Sequence, residues 1–475
     1  MHKIFILTFL FFQIVACKSQ NNSPTETKTM LNSSELEAKI DLLARKYVDL
    51  DIFSGVVLVA EKGKLIYHKA FGLANRETNT SNTIDTKFDI GSMNKTFTKI
   101  VVLQLLEEKK IDLDDLLGKY LSGFPSEAAN KITIDQLLNF TSGYGDYVTR
   151  EYFDLPVSQK NIASLVERIK KLPLHFEPGT DNMYSNAGYI LLGAIIEKIT
   201  GKTYQQNVKE RIVIPMELKE TYVEGKNGVQ DKSVGYSKTM TGEIEDNLGI
   251  VELPNPDGGF LSTALDNLKF YREFHYGNTL LKEETKQKDA FYRMIQEHSN
   301  TGGAIPFAGG YNGANTVNYE ILRDKITVIV FANMNEPVAE QLGAGILAII
   351  RNQTPKEPAL PAIENVYQSF NKHGIEYIEK NFEGLTVNFH PSDPRDLILN
   401  QVGYGFLSMD KVDEALEIFL LNTKLFPEVG NIWDSLGEAY YTKGDKQMAL
   451  SAYQRALSLD SEIPSARKMV KKLGG

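Results

Sequence analysis

From Leu399 onward the chain repeats itself after 34 residues, and no other feature limits its local fold so tightly. "LNQVGYGFLSMDKVDEALEIFLLNTKLFPE", which begins at Leu399, returns as "WDSLGEAYYTKGDKQMALSAYQRALSLDSE", which begins at Trp433. Val402 falls on Leu436, Gly403 on Gly437, Phe406 on Tyr440, Ala415 on Ala449 and Phe419 on Tyr453. A unit of this length cannot bury an apolar face alone, so it must stack on its neighbours.

The second copy contains W-x-x-L-G-x-x-Y, and the first ends in Pro427. Together with the period, this resembles tetratricopeptide repeats, which implies an all-α domain over 396–475 with a protein or peptide partner on its concave face. Trp433 then reads as a packing residue and "PSARKMVKKL" as the polar capping helix. "NQTPKEPALPA" carries three prolines and marks the domain boundary. Residues 352–395 are expected to supply a linker and a pair of packing helices ahead of the repeats.

The opposite end reads as an export signal. His2 and Lys3 precede an apolar run from Ile4 to Ala16, too short for a permanent membrane span. The run ends in "IVAC", which resembles the lipobox of bacterial lipoproteins and implies cleavage before Cys17 and lipidation of that residue. Cys17 is the sole cysteine of the chain, so no disulfide forms within one molecule. Residues 1–17 are thus expected to be a signal peptide and 18–34 a flexible polar tether. The expected location is the bacterial cell envelope, on its periplasmic side or at the cell surface. A net charge of -9 excludes the basic face of a nucleic-acid binder.

Between tether and boundary, 35–351 reads as one α+β domain. Ser34 with Leu36, Ile40, Leu43 and Tyr47 predicts a capped amphipathic helix. "FSGVVLVAEKGKLIYHKAFGLAN" predicts a hairpin turning at Glu61-Lys62-Gly63-Lys64, and "VNYEILRDKITVIVFANMN" a second one at Arg323-Asp324-Lys325. "ITIDQLLNFTSG" predicts a short helix ending at Gly143, and "SNAGYILLGAIIEKITGK" a buried one closed by Gly201. Strands at both ends of the domain predict a sheet closed by pairing of its N- and C-terminal segments.

Ser92 and Lys95 stand three apart at the mouth of the apolar run "FTKIVVLQLL". The S-x-x-K pattern occurs four times in the chain, but the other three copies lie in the helical tail. At a rigid helix start, residues three apart share a face. The positive helix end and burial both push a lysine amine toward its neutral form, which is able to accept a serine proton.

Two further elements follow. Tyr184-Ser185-Asn186 sits in a loop before the buried helix, and a glycine pair, Gly309-Gly310, opens a strand near the end of the domain. S-x-x-K, then Y-x-N, then a K-T-G-like strand is the serine set of β-lactamases and penicillin-binding proteins. With "ITIDQLLNFTSG" and "GGFLSTALDNLKF", the chain from about Leu36 to Ile350 resembles class C β-lactamases and related serine hydrolases. The resemblance implies a β-lactamase/transpeptidase-like domain, an antiparallel sheet flanked by helices plus a helical subdomain. It implies Ser92 as the acylated nucleophile, Lys95 as its proton acceptor and Tyr184 as proton shuttle. Asn186 would hold the substrate's acyl-side amide, and the Gly310 amide would be an oxyanion donor beside that of Ser92.

The chain departs from this pattern at Phe307. Family members carry Lys or His two residues before the first glycine, and Phe307 fills that slot ahead of Gly309 in the substrate-binding strand. Phenylalanine offers no charge to a substrate carboxylate, which favours an ester, amide or small peptide as substrate. Seven histidines without metal spacing and one cysteine predict no metal, and no cofactor is implied. The alternative is a scaffold without turnover that acts as a binding protein through its repeats.

Overall fold

Two runs of β-branched and aliphatic residues, remote in sequence, form the centre of the hydrolase sheet. The computed structural model describes Ser33 to Gly474 apart from Val251, His298 and Ser392, so Cys17, its signal-like segment and nearly all of the tether lie outside the described residues. Strand β1 (Gly55–Glu61) pairs antiparallel with β5 (Ile326–Ala332), from Gly55 opposite Ala332 to Glu61 opposite Ile326. Every one of these residues but Glu61 is buried, as expected for strands covered on both faces. Strands β2 (Lys64–Phe71), β4 (Ala314–Ile321) and β3 (Ile305–Tyr311) complete the order β2-β1-β5-β4-β3, with every neighbour antiparallel. The β1–β2 turn places Lys62 at φ 53° and Gly63 at φ 82°, two successive left-handed residues of the kind that close a tight hairpin.

Helices α1 (Ser33–Asp49) and α5 (Val338–Ile350) pack together, and α5 covers β4 and β5. The opposite sheet face carries Val56, Leu58, Ala60, Ile329 and Phe331 into a core shared with α2 (Lys95–Glu107), α3 (Asn186–Thr200) and α4 (Ala264–Tyr276). Phe97 of α2 stacks on Phe270 of α4 with ring centroids 3.8 Å apart. Nearly all of α2 is buried, which fixes its first turn from every side.

The expected helix in "ITIDQLLNFTSG" is shorter than its pattern. It runs from Ile134 to Leu138, started by a Thr133–Gln136 capping box, and ends because Phe140 adopts φ 60°. That turn carries the Phe140 ring to 5.0 Å from the ring of Tyr184.

The chain divides into two compact units: the described residues through Ser237 with Asp246–Glu357, and Lys238–Glu245 with the residues from Pro358 onward. The second unit is helical: α6 (Ala362–His373), α7 (Ile375–Leu385), α8 (Asp396–Ser408), α9 (Val412–Leu425), α10 (Gly430–Lys443), α11 (Lys446–Leu459) and α12 (Pro464–Leu473). Gly403 on α8 lies against Phe419 of α9, and Gly437 on α10 lies against Tyr453 of α11. The 34-residue shift therefore superposes equivalent contacts. The Trp433 indole donates to the Pro427 carbonyl at 2.9 Å. Among the described residues no helix is long and apolar enough to cross a membrane.

Candidate active site

Ser92 does not lie on α2 itself. Gly91–Asn94 forms a single 3₁₀ turn that runs directly into the α-helix at Lys95. In a 3₁₀ turn residues i and i+3 eclipse, which brings the two side chains together more directly than an α-turn would. Gly91 takes φ 49°, and its amide donates to Asp89 Oδ1 at 2.9 Å.

Lys95 Nζ donates to Ser92 Oγ at 2.9 Å, to Asn186 Oδ1 at 2.7 Å and to the Asp257 carbonyl at 2.8 Å. Tyr184 OH donates to Ser92 Oγ at 2.7 Å, and the lysine nitrogen lies 4.9 Å from the Tyr184 ring centroid. Burial lowers the Lys95 pKa to about 8, against the pull of the Asp257 and Asp146 carboxylates. Burial also holds the Tyr184 phenol well above its ordinary value, so near neutral pH it is a proton donor. Asn186 is oriented by Asp146: its Nδ2 donates to Asp146 Oδ2 at 2.8 Å, which aims Oδ1 at the lysine. Burial raises the Asp146 pKa to about 6.

The turn rests on β3 through bare backbone. A Cβ on Gly309 would come within 2.0 Å of the Ile90 carbonyl oxygen and 2.8 Å of the Ser92 nitrogen. One on Gly91 would come within 2.7 Å of the Gly310 nitrogen. Thr316 of β4 clamps the join by donating to the Ile90 carbonyl at 3.1 Å. The amides of Ser92 and Gly310 therefore both lie where turn meets strand.

Phe307 points elsewhere. Its ring is buried among Tyr271, Phe274, His275 and Phe291, with centroids 4.7 to 5.8 Å away. The cavity at Ser92 instead runs past Gly310 to Tyr311, at the other end of the strand from Phe307.

Two groups at the site escaped the sequence reading, Asp146 and the Asn255–Gly258 turn. The turn is pinned to α2 and to the 3₁₀ turn before it: Asn94 Nδ2 donates to the Asn255 carbonyl and Thr98 Oγ1 to that of Pro256, both at 2.6 Å. This presents the Asp257 carbonyl to Lys95. The Asp257 carboxylate accepts from Tyr147 OH at 2.8 Å. Neither aspartate belongs to a spaced motif, so only the fold brings them in. Among the described residues no group of His, Cys, Asp and Glu is arranged to hold a metal ion.

A depressed lysine and a buried phenol both hydrogen-bonded to one serine hydroxyl form an arrangement suited to serine acyl transfer. The profile of the beta-lactamase family matches residues 40–350, and the chain belongs to that family of serine hydrolases. It is 27% identical over 315 residues to penicillin-binding protein 4* of Bacillus subtilis, covering 60% of this chain and 69% of that one. It is 29% identical over 283 residues to the teichoic acid D-alanine hydrolase of Staphylococcus aureus, covering 57% and 68%. Among solved structures, a penicillin binding protein from Bacillus halodurans superposes with TM-score 0.56 at 25% identity, covering 65% of this chain and 98% of that one.

Proposed function

We propose that the chain hydrolyses an ester or amide of a small acyl group through an acyl-enzyme on Ser92. With Lys95 uncharged, Asn186 Oδ1 and the Asp257 carbonyl take its two N–H groups and its lone pair faces Ser92 Oγ. The hydroxyl oxygen attacks the substrate carbonyl while its proton passes to Lys95 Nζ. The resulting oxyanion lies against the amides of Ser92 and Gly310. Collapse breaks the bond to the leaving group, which takes a proton from Tyr184, and Lys95 reprotonates Tyr184. Water then attacks the acyl carbon by the same route and frees Ser92.

The observation that carries this reading is the pair of contacts at Ser92 Oγ, from Lys95 at 2.9 Å and Tyr184 at 2.7 Å. The 29%-identical relative named for hydrolysing D-alanine from teichoic acid supports a small acyl group. Phe307, uncharged and turned into the core, speaks against a substrate chosen for its carboxylate. A fluorophosphonate probe is expected to label the wild type and to miss Ser92→Ala; equal labelling of both would end the proposal.

Two finer points belong to the same reading. The chain is exported and tethered to the cell envelope through lipidated Cys17. The helical unit is a tetratricopeptide-like pair of repeats that docks a peptide, supported by the equivalent Gly403–Phe419 and Gly437–Tyr453 contacts.

A further inference from the structure

An asparagine amide accepts at one end and donates at the other, and the site works only with the accepting end at Lys95. Asn186 Oδ1 accepts from Lys95 Nζ at 2.7 Å, and its Nδ2 donates to Asp146 Oδ2 at 2.8 Å. The other Asp146 oxygen is engaged as well, since Oδ1 accepts from the Val148 amide at 2.9 Å. An ionised carboxylate only accepts, so its two oxygens serve both donors at once. The loop is fixed beside α3, because Ser185 Oγ donates to the Gly145 carbonyl at 3.0 Å and accepts from the Gly188 amide at 2.9 Å. Asn186 lines the cavity at Ser92, and Asp146 stands behind it, outside that lining.

A proton on Asp146 breaks this pattern in one direction. The Val148 N–H belongs to the backbone and cannot turn away, so Oδ1 remains an acceptor and the proton goes to Oδ2. That new O–H then meets the N–H of Asn186, donor against donor. Half a turn of the amide removes the clash: Asn186 Oδ1 accepts from Asp146, and Nδ2 faces Lys95 Nζ. The lysine loses an acceptor. Its lone pair, when the amine is neutral, takes the Asn186 N–H and no longer faces Ser92 Oγ.

We infer that Asp146 is a positioning residue that sets the direction of the Asn186 amide, and that a proton on it idles Lys95 as a base while the fold stays intact. The inference rests on the serine-hydrolase reading and adds a second titrating group to it. The charged groups that face Asp146 are Lys95 of α2, which favours its ionised form, and Asp257 of the Asn255–Gly258 turn, which opposes it. The Tyr147 and Tyr184 phenols nearby are neutral, and His175 lies against the preceding Gly145. Burial outweighs the donors, so Asp146 titrates at about 6 and Lys95 at about 8. Both must be deprotonated for the base to act. The logarithm of kcat/KM on p-nitrophenyl acetate is therefore expected to rise with pH at a slope of about two below that lower value and about one between the two.

The test measures this profile for the full chain, for Asp146→Asn, and for Asp146→Asn combined with Asn186→Asp. In Asp146→Asn the new side chain satisfies Val148 with its oxygen and turns an N–H toward Asn186, which mimics the protonated acid at every pH. A fall in kcat/KM on the order of 10²-fold is expected, with loss of the steeper limb. The double variant reverses donor and acceptor across the contact and again offers Lys95 an oxygen. It is expected to recover about tenfold at its high-pH limit. His175→Gln is the control and keeps the steeper limb. A wild-type slope of about one throughout, a fall of less than about threefold in Asp146→Asn, no recovery in the double variant, or loss of the steeper limb in His175→Gln would each overturn the inference. The wild-type profile needs no variant, so a misfolded Asp146→Asn still leaves the inference exposed. NMR of isotope-labelled lysine reads Lys95 without turnover, and Lys95 is expected to lose its proton about tenfold more readily in Asp146→Asn. If that change is seen while the wild type neither hydrolyses the ester nor takes up fluorophosphonate, the Asp146 assignment stands and the hydrolase reading alone falls.

Discussion

In the proposed mechanism Lys95 gives up a proton before it accepts one from Ser92, and the pH at which this happens is set by its surroundings. Its carbon chain is enclosed by α3 and the Asn255–Gly258 turn, and its nitrogen meets three acceptors, so the cost of a buried charge outweighs the attraction of two nearby carboxylates. With the amine titrating at about 8, kcat/KM on a neutral ester is expected to climb as pH rises toward and through that value and then level off. The phenol of Tyr184 stays protonated across this range and adds no falling limb. Initial rates between about pH 5 and 10 test this, and an acid limb centred near the ordinary carboxylate range would assign the base to another group. The same shift has a stability consequence of definite sign. Between about 8 and the ordinary 10.5 the unfolded chain binds more protons at Lys95, so this residue adds stability as pH rises through that window. Ser92, Lys95, Tyr184 and Asn186 were readable in the sequence because each falls in a short, ordered motif. Asp146 and Asp257 were not, because each stands alone in a loop and acquires its meaning only when Asn186 and Lys95 arrive beside it.

At the scale of elements, the site depends on a strand and a 3₁₀ turn touching without side chains between them. Gly309 faces the Ile90 carbonyl at a distance that leaves no room for a methyl group. Gly309→Ala is therefore expected either to cost roughly 1–3 kcal/mol in stability or to push the turn off β3 and part the amides of Ser92 and Gly310, the oxyanion donors of the proposed mechanism. Thermal unfolding and fluorophosphonate labelling, measured together, separate the two results. Gly249→Ala is the control, since a Cβ there has nothing within 4 Å. Unchanged melting and unchanged labelling in Gly309→Ala would show that the close backbone contact does not hold the site. The sequence showed the glycine pair and its place before a strand, but not the partner that makes the pair necessary. Element ends were likewise only partly legible. The apolar spacing of "ITIDQLLNFTSG" continues past Leu138, but the helix stops at the left-handed Phe140, whose ring stacks on Tyr184, a residue remote in the chain.

For the molecule as a whole, the 34-residue period and the proline-rich break disclosed a separate helical unit, but not the fact that this unit borrows eight residues from the middle of the preceding domain. Lys238–Glu245 belongs to the second unit. Met240 is 4% exposed within a core that includes Phe370, Val402 and Phe406, and a Cβ on Gly405 would meet its sulfur at 2.5 Å. Lys238 Nζ lies 3.1 Å from Glu364 Oε2, with side chains only 10% and 3% exposed. Hydrophobic spacing could not show this, because the segment "KTMTGEIE" reads as an ordinary polar loop. A fragment of residues 358–475 therefore lacks part of its own core: it loses Met240 and uncovers Glu364, whose carboxylate is covered by Gly242 and Lys238. Loss of a large buried aliphatic side chain such as that of Met240 costs on the order of 2–5 kcal/mol. The fragment is expected to unfold at lower urea than the same helices in the full chain, and Glu364→Gln to weaken the full chain, where the ion pair is buried, while changing the fragment little. Circular dichroism of the four proteins in urea measures this directly. If the fragment and the full chain lose their repeat helices at the same urea concentration, or if Glu364→Gln shifts both by the same amount, the borrowed segment contributes nothing to the unit and its burial there is incidental.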